Sequence, residues 1–243
     1  MSLLPRLTIP HLLVGLAGVA LLASGCSGGG NKVGSPTTLP VATTVPPPGR
    51  VQLAMIVVQP SDLPTGWTAT PAKPAPNPEA EPKAFAQCMG TTSSAADLVA
   101  IAYSPDYVHG TQVVSSSATS FRTRADVPAD TATLTSAKAA SCLEEVDKAR
   151  LGAELPAGGV VKSYSVKVTP GTGGGAANIV AIATATATYS ENGHSLTLND
   201  ETVYLVAPRI EARIDFSSVG TTVSDATRLA VENQVAQRVA FGS

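Results

Sequence analysis

The chain has 243 residues, of which 14% are charged and only 4% aromatic, with a net charge of −2. That balance supplies no basic field to attract nucleic acid and no acidic tail. The length allows one or two domains, but the two ends of the chain differ in kind.

The first 25 residues have the pattern of an export leader. Met1 to Leu7 holds one positive charge, Arg6, and no acid; Leu12 to Leu22 is then apolar apart from glycine. Such a run is shorter than the roughly 20 apolar residues that a spanning helix needs, and it suits a signal-peptide core. It closes on Leu22-Ala23-Ser24-Gly25-Cys26, which resembles a lipobox, with Ala23 where leucine is usual. The expectation is cleavage before Cys26 and acylation of its thiol, palmitate included. More than one acyl chain holds a protein stably where a single chain does not. The expected location is the outer face of the cytoplasmic membrane, with the lipid on Cys26 as the membrane partner.

Residues 26–50 read as a tether. Ser27 to Arg50 is filled with Gly, Ser, Thr and Pro, its apolar residues are isolated, and it has no acid. It cannot bury enough surface to offset the entropy of ordering. From Val51 to Ser243 no second linker or repeat occurs, so 51–243 is expected to be one extracytoplasmic domain.

Within it, Val51 to Val58 is a short apolar helix or strand ending at Pro60. Ser61 to Trp67 is a turn that places the single Trp as a core anchor, and Pro71 to Pro78 is a loop. A helix is predicted from Glu79 to Met89, stopped by Gly90. Leu98 to Tyr103 reads as a strand, Pro105 and Gly110 bracket a turn, and Gln112 to Thr123 is β-like. From Ser136 to Leu151 the period becomes helical, with Ala139, Cys142, Leu143, Val146 and Arg150 on one face and Thr135 as cap. Glu144, Glu145 and Asp147 then read as a solvated face. Val160 to Thr169 and Asn178 to Tyr189 follow as strands, Asn192-Gly193 marks a hairpin, and His194 to Val206 returns. After a turn at Ala207-Pro208-Arg209, Ile210, Ala212, Ile214 and Phe216 alternate with Glu211, Arg213 and Asp215, predicting one buried and one wet face. Ser224 to Val239 is a closing helix with Ala230 or Val231, Val235 and Val239 inward. The predicted fold class is α+β: an antiparallel sheet flanked by helices.

With Cys26 lipidated, Cys88 and Cys142 remain as an even pair in an oxidising compartment. Each lies on the apolar side of a predicted helix, so a bridge would staple the two helices. The rival readings are buried free thiols or a redox pair, and no CxxC supports the latter.

A search for chemistry finds little. Beyond the leader the histidines are His109 and His194, both at turns and far apart, with no HExxH and no cysteine cluster for a metal. Ser115, Ser116 and Ser117 lie in no GxSxG elbow. Asp200 and Glu201 are adjacent and point to opposite sides of a strand, unlike paired acids across a cleft. The glycines of Pro170 to Gly175 lack the Lys-Ser/Thr of a phosphate loop and open a strand. No catalytic residue, metal ligand or cofactor is therefore assigned.

The lipobox, the Asp62 to Trp67 turn, Ser104-Pro105-Asp106-Tyr107 before Gly110, Cys142-Leu143 and Arg209 to Ala212 together resemble a family of actinobacterial exported lipoproteins with a sensor-like domain. The resemblance implies a twisted antiparallel sheet with flanking helices, similar to the extracellular sensor domains of mycobacterial kinases and to Mog1/PsbP-like domains. It supplies no reaction. The expected role is non-catalytic binding of an envelope ligand or protein partner. The alternatives are a lipid carrier, suggested by the small apolar residues between Ile179 and Ala187, and a hydrolase using His109 or His194.

Overall fold

The computed structural model describes residues 46–71, 80–91, 98–122, 131–156, 158–171, 178–191 and 193–242. The leader, Cys26, most of the tether, the loop at 72–78 and the glycines at 172–175 lie outside the described residues.

Alternating side chains and turn residues produce eight strands: β1 (Thr68–Thr70), β2 (Leu98–Tyr103), β3 (Asp106–His109), β4 (Gln112–Phe121), β5 (Val160–Pro170), β6 (Asn178–Glu191), β7 (His194–Ala207) and β8 (Ile210–Val219). They form one antiparallel sheet in the order β1-β3-β4-β8-β7-β6-β5, with β2 also paired to β4. The stretch bracketed by Pro105 and Gly110, expected to be a turn, is instead strand β3, which pairs with β4. The turn lies at Gly110-Thr111, where Gly110 takes a φ of +63°. β2 and β3 run along the same side of β4, and their junction is closed at Ser104. Its amide donates to the Ser116 carbonyl, and its hydroxyl accepts from the Ser116 amide.

Among the described residues the main helices are α1 (Arg50–Ile56), α2 (Ala80–Met89), α3 (Ala139–Glu154) and α4 (Asp225–Phe241); α1, α3 and α4 pack on the sheet, and α2 packs on α3. Helix α1 begins at Arg50, so the described chain enters the domain at the last residue of the expected tether. Helices α1 and α4 cover one face. Leu53, Ile56 and Val58 meet Val203, Leu205, Ile210, Ile214, Val231, Val235 and Val239 there in the main core. Ser224 caps α4 by accepting from the Thr227 amide. Arg238 joins the two helices: its guanidinium donates to the Ile56 and Val57 carbonyls and holds Asp62 through two nitrogens.

Helix α3 lies on the opposite face, against β5, above a smaller cluster of Leu151, Tyr164, Ala187, Tyr189 and Leu198. Thr135 does not cap it. Lys138 occupies the cap position, and the Thr135 hydroxyl donates to the Thr131 carbonyl. On the α1/α4 side the outer part of β5–β7 is uncovered, leaving Ser165, Lys167, Thr184, Thr186 and Thr197 exposed.

Cys88 and Cys142 are bridged, with Cα atoms 5.7 Å apart and a sequence separation of 54, so α2 is stapled to α3. Removing both sulfurs with Cys88→Ser and Cys142→Ser is expected to cost about 2–4 kcal/mol through loop entropy. Urea unfolding with and without reductant measures it. An unchanged midpoint would mean that the staple adds nothing to stability.

Candidate functional site

Antiparallel register decides which side chains of β7 and β8 share a face. Asp200 lies opposite Ser217, Thr202 opposite Asp215, and Tyr204 opposite Arg213. All six point toward the α3 side, because their neighbours Val203, Leu205, Ile214 and Phe216 enter the main core. The face of β8 expected to be wet is therefore covered: the Arg213 and Asp215 side chains are 9% and 10% exposed. The correction has a simple cause. Alternation shows that these residues share a side, but only the long-range placement of other elements decides whether that side meets water.

Asp215 is held on one oxygen by three donors. Arg213 reaches it through Nε at 2.7 Å and through a second guanidinium nitrogen at 2.5 Å, and the Thr202 hydroxyl donates at 2.8 Å. Ser217 donates its hydroxyl to Asp200. From α3, Asp147 and Arg150 join this group, and Tyr164 of β5 donates its hydroxyl to Asp147. The sequence pattern places Asp147 on a solvated helix face with Glu144 and Glu145. Of the three only Glu145 is exposed; Asp147 is half-buried and lines the space between α3 and the sheet.

Between α3 and the sheet these residues line a cleft of about 30 Å³, enough for one or two water-sized groups. Its walls are Asp147, Arg150, Tyr164, Asp200, Thr202, Tyr204, Arg213 and Asp215, with Leu143, Val166, Ala183 and Ala185 beside them. The alanines of β6 matter here. Their short side chains on the α3 side leave the space that the larger polar groups of β5, β7 and β8 occupy.

Burial sets the protonation of the cleft. It pushes Asp200 up to about 6, against the pull of the Ser217 hydrogen bond and of Arg150, with Asp147 and Asp215 adding repulsion. Asp147 is also raised, first by burial, although Arg150 and Arg213 oppose it. Tyr204 is pushed up to about 12 and Tyr164 higher still, both chiefly by burial. Burial alone would weaken the charge of Arg213, but Asp215 and Tyr204 outweigh it and keep the guanidinium firmly protonated. One oxygen of Asp147 is buried with no hydrogen-bond partner.

The other residues singled out in the sequence fall elsewhere. Glu201 faces the opposite side of β7 and accepts from Arg228 of α4 at 2.8 Å. Ser116 is a structural serine, its hydroxyl accepting from the Val58 amide. His109 is exposed and lies against Trp67, with ring centroids 5.5 Å apart. His194 is exposed at the β6–β7 turn. Among the described residues no group of three or more His, Cys, Asp or Glu could hold a metal, and no helix is long and apolar enough to cross a membrane.

One cleft residue had a legible signal. Arg150 sits at helical spacing on the same side as Cys142, Leu143 and Val146, where a buried arginine needs partners. Asp147 and Asp215, two of the acids around it, lie far apart in sequence, so the cluster itself could not be read.

No family model and no curated protein matches the chain. A solved structure, that of LpqN involved in cell envelope biogenesis of Mycobacterium tuberculosis, aligns over 74% of this chain and 78% of that chain, at 14% identity and a TM-score of 0.27. At that score the likeness carries neither a fold nor a role across.

Two predictions follow from the electrostatics. A carboxyl raised in the folded state binds its proton more tightly there than in the unfolded chain. Its stabilisation is complete below about pH 4 and is lost as pH rises through about 6. Thermal melts should therefore show a domain more stable at pH 5 than at pH 7.5, by on the order of 1–2 kcal/mol, and Asp200→Asn should flatten the difference. Separately, Asp215→Ala removes the carboxylate that Arg213 grips and should cost about 3–5 kcal/mol. The apolar pair Arg213→Met with Asp215→Leu should cost less, which equilibrium unfolding of both variants will measure.

Proposed function

We propose that this chain is a non-catalytic lipoprotein, anchored through Cys26 at the outer face of the cytoplasmic membrane. Its domain receives a hydroxyl or ammonium group of a cell-envelope molecule in the cleft beneath α3. The observation that carries the reading is the buried, unpartnered oxygen of Asp147, in a water-sized opening that Asp200 also lines. A buried acceptor without a donor is costly, and a ligand N–H or O–H placed there removes the cost.

Size and polarity select the ligand class. An acyl chain needs a long apolar cavity, whereas this cleft is small and lined by charge, and Ala181, Ala183 and Ala187 are buried in the packed sheet face. The lipid-carrier reading therefore loses its motivation. Asp147 and Asp200 are also the kind of pair that general acid–base catalysis uses. A cleft of about 30 Å³ admits one polar group and not a sugar ring, which favours binding over glycoside chemistry. The hydrolase reading through His109 or His194 has both imidazoles on open surface, away from this cleft.

Native mass spectrometry of protein extracted from its own membrane in mild detergent tests the reading. The wild type should retain a small polar or polar-headed molecule that Asp147→Asn with Asp200→Asn releases. Burial already penalises the charged form of both carboxyls, so the uncharged asparagines suit these positions and the double variant should keep its fold. Equal retention by the two proteins would place the ligand elsewhere and sink the proposal.

A further inference from the structure

A second surface stands apart from the cleft. Helix α1 turns Leu53 and Ile56 inward but leaves Val51 81% exposed and Met55 62% exposed, one helical turn apart on its outer side. The last turn of α4 packs on the C-terminal end of α1: Arg238 donates to the Ile56 and Val57 carbonyls, and Gly242 lies tight against the Ile56 side chain. Beside that contact Phe241 is 86% exposed. Three of the six large apolar side chains exposed among the described residues thus gather on α1 and the adjoining end of α4.

We infer that this corner rests on the lipid surface to which the chain is anchored, an inference that relies on the acylation of Cys26 proposed above. The argument comes from where the tether ends. Residues 27–49 separate Cys26 from Arg50, a covalent link whose length cannot exceed about 80 Å in any conformation. Helix α1 is the first element after that stretch, so it is the part of the domain held nearest to the anchor. The charge there matches an anionic leaflet: 26–50 has no acid and carries Lys32 and Arg50. A tether of this length gives an effective concentration on the order of millimolar, at which even a weak apolar contact is substantially occupied. The cluster is small for a stable protein interface, and tethering lets so small a patch suffice for lipid.

The full-length acylated protein provides the test. Beyond the leader its methionines are Met55 and Met89. Met89 ends α2, which is stapled to α3 on the opposite side of the sheet, and so serves as an internal control. Protein labelled with ¹³C at its methionine methyls is placed in discs of phosphatidylglycerol and phosphatidylethanolamine, some lipids bearing a nitroxide on the acyl chain. The Met55 signal should fall several-fold more than that of Met89, and Val51→Ser with Phe241→Ser should abolish the difference. Equal attenuation of the two methyls, with acylated Cys26 confirmed by peptide mass, would overturn the docking and leave the anchor standing. An unacylated Cys26 would overturn both. A Met55 change that follows protein density instead of nitroxide would assign the surface to a second copy and also overturn the inference.

Discussion

The structure turns on one strand buried from both sides. β8 sends Ile210, Ala212, Ile214 and Phe216 into the apolar core under α1 and α4, and Arg213 and Asp215 into the polar layer beneath α3. Burying two charges is favourable only where their remaining hydrogen-bonding capacity is met. The Arg213–Asp215 contact, Thr202 and the neighbouring Ser217–Asp200 pair meet much of it. This arrangement also fixes register. Slipping β7 by one residue would bring Val203 against the polar layer and push Thr202 into the core.

Much of this fold could be read from the chain. The alternation in β5 to β8, the hairpin at Gly193, the inward valines of α4 and the Cys88–Cys142 staple all rest on local pattern or on a count of cysteines, and each has its place in the structure. What failed to show had a shared physical origin. A polar residue on a periodic face looks the same whether it meets water or a charged partner from a distant segment. Asp147, Arg213 and Asp215 were each polar residues with plausible solvent positions, and only the packing of the α3 side buries them together. Strand β3 escaped for a different reason. Pro105 and Gly110 do punctuate the chain, but a four-residue strand fits between them, because Pro105 sits at the break between β2 and β3 and gives up no ladder bond within either.

The two faces of the sheet are held by different physics. On the α1/α4 side a continuous aliphatic core and the Arg238–Asp62 contact make a well-anchored layer. On the α3 side a smaller cluster centred on Tyr164, Tyr189, Leu151 and Leu198 shares the interface with ionisable groups. Apolar burial is insensitive to pH and to bound solutes, whereas the polar layer depends on protonation and on hydrogen-bond partners. The disulfide to α2 is placed where the apolar contribution is smaller. Local opening is drawn from the less strongly packed parts of a fold, so α3 is the element best suited to admit a ligand group while the other layer stays closed.

These two layers also give the domain a polarity in space. The described chain enters the domain at α1, and the cleft lies on the reverse of the sheet, beneath α3. If α1 and the end of α4 lie against the lipid, the cleft opens away from the bilayer and toward the space beyond it. A lipid carrier would gain from the opposite arrangement, with its cavity facing the acyl chains. A reader of polar groups displayed in the envelope would gain from this one. The placement of the cleft on the face opposite α1, with its charged lining and small size, is compatible with the polar occupant proposed above.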